Sequence, residues 1–210
     1  ALASRPGHGW ALTRAIKRGD VPRRDVPAYV ARLLLRVVGN RFLEIWGPVE
    51  GLSPEAEAAF VKYRALLTDE AIAKGDLAKG RALYNQRCSA CHQLYGKGGT
   101  IGPDLTGANR TDLEYLLGNI LTPSAIIGED YRMTLVSTDD GQVYSGVLAG
   151  ETDRQLHLRI ANLDEPVSIA KSQIVDREVT ELSMMPEGLL ENLTDPEVIN
   201  LVSYLRNLKP

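Results

Sequence analysis

Three residues carry most of the chemistry available to this chain, in the order Cys88-Ser89-Ala90-Cys91-His92. The pattern C-x-x-C-H is the attachment signal for c-type haem. Each thiol can add across one vinyl group of the porphyrin to form a thioether. Two intervening residues set the sulfurs one helical turn apart, matching the vinyl separation. The adjacent histidine is then delivered to one face of the ring as an axial iron ligand. Two other chemistries share part of the pattern. A redox dithiol of the thioredoxin kind belongs in a βαβ setting, whereas these cysteines follow a helical run. A zinc site usually takes four protein ligands, and the other histidines, His8 and His157, stand isolated. Two cysteines three apart make no general disulfide framework.

A second axial ligand must come from elsewhere. The sequence offers Met133, Met184, Met185, His8 and His157. Met185 directly precedes Pro186, and a residue before proline is biased to extended geometry, which suits a loop crossing an open ring face. Along an extended chain Met184 and Met185 point oppositely, so only one can face iron. Met133 shares a predicted strand face with Tyr131 and Leu135 and reads as core. His157 falls on the polar face of its strand, and His8 lies in a Gly/Pro-rich start; both read as solvated. A thioether ligand stabilises ferrous haem relative to a second histidine and raises the potential. With both axial positions filled, small exogenous ligands bind poorly, which favours electron transfer over oxygen or peroxide chemistry.

These residues must be held in place by the rest of the chain. It has 210 residues, 44% hydrophobic and 24% charged, an ordinary globular composition that argues against disorder and collagen-like repeats. The formal charge of −3 argues against a nucleic-acid binder. No run approaches the ~18 consecutive apolar residues of a membrane span; Leu33-Leu34-Leu35 is flanked at once by Arg32 and Arg36. Residues 1–80 hold 13 Lys+Arg against 9 Asp+Glu, and residues 81–210 hold 11 against 18. Such asymmetry fits separate modules, although solvated surface also accounts for it. The chain begins at Ala1 without a visible leader pattern, which reads as a processed protein or a piece of a longer one.

Residues 1–74 read as an N-terminal helical segment. Trp10, Leu12 and Ile16 share one face, and Val30, Leu33, Leu34 and Val37 follow amphipathic helix spacing. Gly47-Pro48 and Gly51 punctuate, then Ser53-Pro54 opens a helix carrying Phe60, Tyr63, Ala65 and Leu66. Several short helices are compatible with the end of a helical repeat array. Asp76 can cap a helix with Leu77, Leu83 and Tyr84 that ends near Cys88. Residues 93–110 are rich in glycine and turns. Thr111-Asp112-Leu113-Glu114 reads as a capping box before Leu113, Leu116, Leu117 and Ile120, closed by Thr122-Pro123. From 131 to 178 the period changes to two: Tyr131-Met133-Leu135, a turn at Asp139-Asp140-Gly141, a return strand Val143–Leu148, then Leu156-Leu158-Ile160, Val167/Ile169 and Ile174/Val175. This predicts a small antiparallel barrel or sandwich. Thr194-Asp195-Pro196-Glu197 is a second capping box before Val198, Leu201, Val202 and Leu205. The fold class is mainly α with a β insert (α+β).

Gly80-Arg81-Ala82-Leu83-Tyr84, the haem signal, and Gly102-Pro103-Asp104-Leu105 together resemble class I cytochrome c. The resemblance implies that Gly80 and Tyr84 pack against Leu201, Tyr204 and Leu205. It implies that Pro103 offers its carbonyl to the His92 ring N–H, a bond that fixes ring orientation and ligand basicity. Ser183-Met184-Met185-Pro186-Glu187-Gly188 resembles the distal Met-Pro loop of that family, whose pattern places the ligand directly before proline. The implied ligands are therefore His92 and Met185, with one haem c held by Cys88 and Cys91. Arg110, Tyr95 and Lys97 could pair with a haem propionate, Arg110 as such a residue does in some cytochromes.

The likeness is closer to a narrower group, the haem-binding domain family of planctomycetes and verrucomicrobia. Asn119-Ile120-Leu121-Thr122-Pro123-Ser124, Tyr131, Asp140-Gly141 and Ser183 to Leu190 match its pattern. This implies an N-terminal segment over 1–74 and a cytochrome domain over 75–210, with a β insert at about 129–178. It also implies the C-terminal redox module of a larger secreted, dehydrogenase-like protein. The expected function is electron transfer with a redox partner protein or domain, in a periplasmic or otherwise extracytoplasmic location. The chain itself is not expected to be an enzyme, to span a membrane or to bind nucleic acid. The alternative is a haem-based gas sensor with an open or labile distal site. The insert could be a docking surface, a homodimer contact or a cover that keeps water from haem.

Overall fold

The computed structural model describes residues 6–26, 28–47, 53–163 and 165–209. The side chain of Leu33, and the residues Pro48 and Gly51 of the sequence reading, lie outside what is described. Three helices come first: α1 (Pro6–Arg18), α2 (Ala28–Val38) and α3 (Asn40–Trp46). They bury Ile16, Ala31, Leu34 and Phe42 together with Val26, and Ile126 from far along the chain completes this cluster. Phe42 stacks on Trp46 with ring centroids 5.2 Å apart.

The next helices are α4 (Pro54–Leu66), α5 (Asp69–Ala73), α6 (Leu77–Arg87), α7 (Leu113–Leu121) and α8 (Asp195–Arg206). Their starts follow from side-chain oxygens that accept the unpaired first-turn N–H groups. Ser53 Oγ accepts from Ala56, and Thr68 Oγ1 from Ala71. At α8 the Glu197 carboxylate reaches back to the Thr194 N–H at 2.8 Å, as a capping box requires. The expected box at Thr111 is not formed. Asp112 is the N-cap, accepting from the Tyr115 N–H at 3.2 Å. Glu114 instead grips Arg64 of α4 through two bonds of 2.6 Å.

Phe60, Tyr63, Tyr84, Leu117, Val198 and Leu201 belong to one buried core. The core thus crosses the expected boundary at residue 75, because α4 packs with the later helices. Leu77 and Ala65, expected inside, are exposed. The tightest helix contact is α6 on α8. A Cβ on Gly80 would stand 2.1 Å from the Asn200 carbonyl oxygen, so only glycine allows this approach. Tyr84 meets Tyr204 with centroids 5.6 Å apart.

Asp76 starts α6 by accepting the N–H groups of Ala78 and Lys79 at 2.9 and 3.1 Å. The Lys79 bond first, aided by that of Ala78, holds its carboxyl below the ordinary value. A depressed carboxyl contributes stability above its unfolded pKa and loses it as pH falls through the folded one. Asp76→Ala is therefore expected to lower the urea midpoint at neutral pH, with the difference from wild type shrinking in acid. A difference independent of pH would remove the charge from this account.

Between α7 and α8 lies a single five-stranded antiparallel sheet, ordered β4-β3-β2-β1-β5. Its strands are β1 (Arg132–Thr138), β2 (Val143–Glu151), β3 (Gln155–Arg159), β4 (Val167–Ala170) and β5 (Ile174–Ser183). Only Lys171–Gln173 link the outer strands β4 and β5. A flat sheet would separate them by four spacings of roughly 4.8 Å, whereas that link reaches roughly 14 Å. The sheet must curl, and it does so around Val136, Leu156, Leu158 and Ile169.

Two expectations change here. On β1 the buried residues are Thr134, Val136 and Thr138, so Met133 and Leu135 lie on the less covered face. β5 runs on to Ser183, past the expected insert end near 178, and so delivers the chain directly into Met184-Met185. Among the described residues no helix is long and apolar enough to cross a membrane.

Candidate haem centre

α6 hands the chain to the C-x-x-C-H turn. The Cys88 N–H donates to the Tyr84 carbonyl at 2.8 Å, and the N–H groups of Cys91 and His92 both return to the Cys88 carbonyl, at 3.1 and 2.9 Å. The two sulfurs and the imidazole therefore leave one compact turn. Tyr84 Oη donates to the His92 carbonyl at 2.7 Å, tying that turn to the α6/α8 contact.

His92 Nδ1 lies 2.9 Å from the Pro103 carbonyl oxygen. A carbonyl only accepts, so Nδ1 carries the proton and Nε2 keeps a free lone pair. Burial first, against this bond, lowers the imidazole pKa, which favours the neutral ring that a metal ligand requires. Gly102 makes this arrangement possible: a Cβ there would sit 2.5 Å from His92 Cε1. Burial pushes the Cys88 thiol up to about 11 and raises Cys91 as well. Neither shift is the depression that activates the thiols of a dithiol reductant. Among the described residues no group of three or more His, Cys, Asp or Glu could hold a bare metal ion.

Cys88, Cys91, His92 and Pro103 open onto a cleft with about 1330 Å³ of empty space, its open mouth included. Met184, Met185 and Pro186 line it too, as do Leu201 and Leu205 of α8. Met185 also packs against the helical core. Met133 is not on the wall. His157 bonds Ser168 Oγ at 2.8 Å through Nδ1, and His8 is exposed on α1.

The propionate candidates divide. Lys97 is exposed and, like Tyr95, absent from the cleft wall. Arg110 is on that wall, yet its guanidinium serves α8. One terminal nitrogen donates to the carbonyls of Leu205 and Asn207, the other to Tyr95 Oη and the Thr106 carbonyl. Only its Nε lacks a partner, and Arg87, also on the wall, likewise has a buried unpartnered Nε. A mostly apolar cleft with an attachment turn, a neutral imidazole and two spare cationic donors fits a flat apolar ring that carries carboxylates. Arg87 escaped the sequence reading, although it directly precedes Cys88. So did Val147 of β2; Tyr131, read as a strand residue, lies just before β1 and lines the cleft too, and nothing in a strand pattern marks either contact.

A family model described as Cytochrome c matches residues 77–209. The chain belongs to the cytochrome c family. The match begins at the first residue of α6 and runs through the sheet to beyond α8. No curated protein matches this cytochrome. As a member of the family it carries covalent haem c, for which Cys88 and Cys91 are the thioether anchors. The α+β architecture combines a cytochrome helical core with a five-stranded sheet.

Proposed function

We propose that this cytochrome is a monohaem electron-transfer module whose iron is held between His92 and Met185. The observation that carries the reading is the His92–Pro103 bond, which leaves Nε2 as a neutral donor beside the two cysteines. Bound haem supplies a one-electron couple. Around it His92 is held in one tautomer, Met185 is tied by its own amide, and the apolar wall limits water. Met185 is favoured over Met184 because it packs on the helical core and its N–H donates to Ser183 Oγ at 3.1 Å. The chain passes electrons to a partner protein or domain and performs no substrate chemistry of its own. It serves as the C-terminal redox module of a larger secreted, dehydrogenase-like protein, in a periplasmic or otherwise extracytoplasmic setting.

Met185→Ala tests the ligand. The reduced wild type is expected to keep a low-spin spectrum under carbon monoxide. The variant should bind the gas rapidly and show a lower potential, since the thioether favours ferrous haem. An unchanged spectrum and potential would overturn the assignment. Rapid gas binding by the wild type itself would favour a sensor.

A further inference from the structure

We infer that Ser124 and Ser183 are positioning residues for the distal methionine, forming a two-step clasp that holds the Met-Met-Pro loop at the cleft. The inference rests on Met185 being the sixth ligand. β5 ends at Ser183, which faces Arg132 of β1. The Met185 N–H donates to Ser183 Oγ at 3.1 Å, a side-chain turn that closes the start of the loop. The Ser183 N–H in turn donates to Ser124 Oγ at 3.1 Å, across 59 residues of chain. Ser124 lies just beyond α7, which lines the cleft through Leu116, Asn119 and Ile120. Pro186 has no N–H, so the Met185 amide is the last donor before the loop turns.

The strand that presents this clasp is itself locked. Its pairing with β1 jumps from Thr134↔Val179 to Arg132↔Ser183. Thr180 fills the bulge, donating to the Met133 carbonyl at 3.1 Å and accepting the Leu182 N–H at 3.1 Å. Bulges re-aim the end of a strand, and here the redirected end is Ser183. The β unit is thus the mount of the distal loop. Ser124 ties that mount to the helix that forms a wall of the same cleft. Losing either bond frees the loop while the Met185 side chain stays unchanged, and the methionine is then displaced more readily.

The test follows the far-red thioether–iron band of the ferric holoprotein as pH is raised until methionine is displaced. Ser124→Ala and Ser183→Ala are each expected to shift the displacement equilibrium by about three- to tenfold, which is roughly half to one pH unit in the midpoint. Ser183→Thr should restore it. A merely structural serine would lower the thermal midpoint and leave the pH midpoint in place. A wild-type band whose pH midpoint neither alanine moves overturns the clasp. If Ser183→Ala alone moves it, Ser124 loses its part. A wild type with no such band at any pH overturns the Met185 reading, and the clasp with it.

Discussion

Arg110→Met is expected to lower the stability of this cytochrome by about 3–5 kcal/mol, read as a fall in urea midpoint at unchanged slope. Arg110 is only 1% exposed, and a buried guanidinium is tolerated only when its donors are used. Four of its five N–H donors are used within the protein: on the Leu205 and Asn207 carbonyls, on Thr106 and on Tyr95 Oη, and only Nε is left for a ligand in the cleft. Tyr95 Oη spends its own proton on the Asn207 carbonyl at 2.7 Å, so its oxygen is open to accept. The last carbonyls of a helix have no partner within it and carry its negative end; Arg110 answers both at α8. Methionine fills similar space and answers neither, leaving the buried Leu205 carbonyl unsatisfied at about 1–3 kcal/mol and removing the three part-buried bonds as well. Lysine keeps the charge but not the planar fork, so Arg110→Lys should fall between. Covalent haem remains attached in both variants, because the C-x-x-C-H turn is untouched, and a native Soret band before denaturation separates lost stability from lost cofactor. A methionine variant within about 1 kcal/mol of wild type would show that water replaces the guanidinium.

The role of Arg110 was illegible in the sequence, while the anchors beside it were plain. Cys88, Cys91 and His92 obey a spacing set by the porphyrin, so their chemistry is local. The carbonyls that Arg110 serves lie 95 and 97 residues away, and no short pattern joins them. Caps follow the same rule: Asp76 and Glu197 act within their own turns and are readable. Thr111 and Asp112 are both good caps, and only packing decides between them; the Glu114 carboxylate goes to Arg64, 50 residues back. On β1 both faces alternate, Thr134-Val136-Thr138 against Met133-Leu135. The curl of the sheet over Leu156 and Leu158 selects the face, and curl is a property of five strands together. The length of β5 was hidden because an edge strand can expose both faces: Asp176, Arg177 and Glu178 carry no apolar alternation, yet they pair with Ser137, Val136 and Leu135. Ile126 buries itself among the first three helices and also lines the haem cleft. The Ile126-Ile127 pair in a loop gives no hint that the first of them joins the two.

Gly80→Ala is expected to destabilise the cytochrome by about 3 kcal/mol or more, against its intrinsic helix propensity. In an isolated helix that change gains about 1 kcal/mol. Here the added carbon would stand 2.1 Å from the Asn200 carbonyl oxygen and 2.7 Å from Tyr204 Cβ. The first of these is backbone of α8 and cannot rotate away, so the two helices must separate. Gly7 of α1 supplies the control, since nothing among the described residues lies within 4 Å of a Cβ there; Gly7→Ala should be neutral or stabilising by up to about 1 kcal/mol. The separation reaches the haem. Tyr84 of α6 holds the His92 carbonyl, and α8 presents Leu201 and Leu205 to the cleft. Moving α8 outward removes apolar wall and admits water and small ligands. Gly80→Ala should therefore also speed carbon monoxide binding to the reduced protein, although Gly80 does not line the cleft. An alanine that lowered the urea midpoint but left the gas rate unchanged would confine Gly80 to packing. One that left both unchanged would mean that α6 and α8 stand further apart in solution than this contact requires.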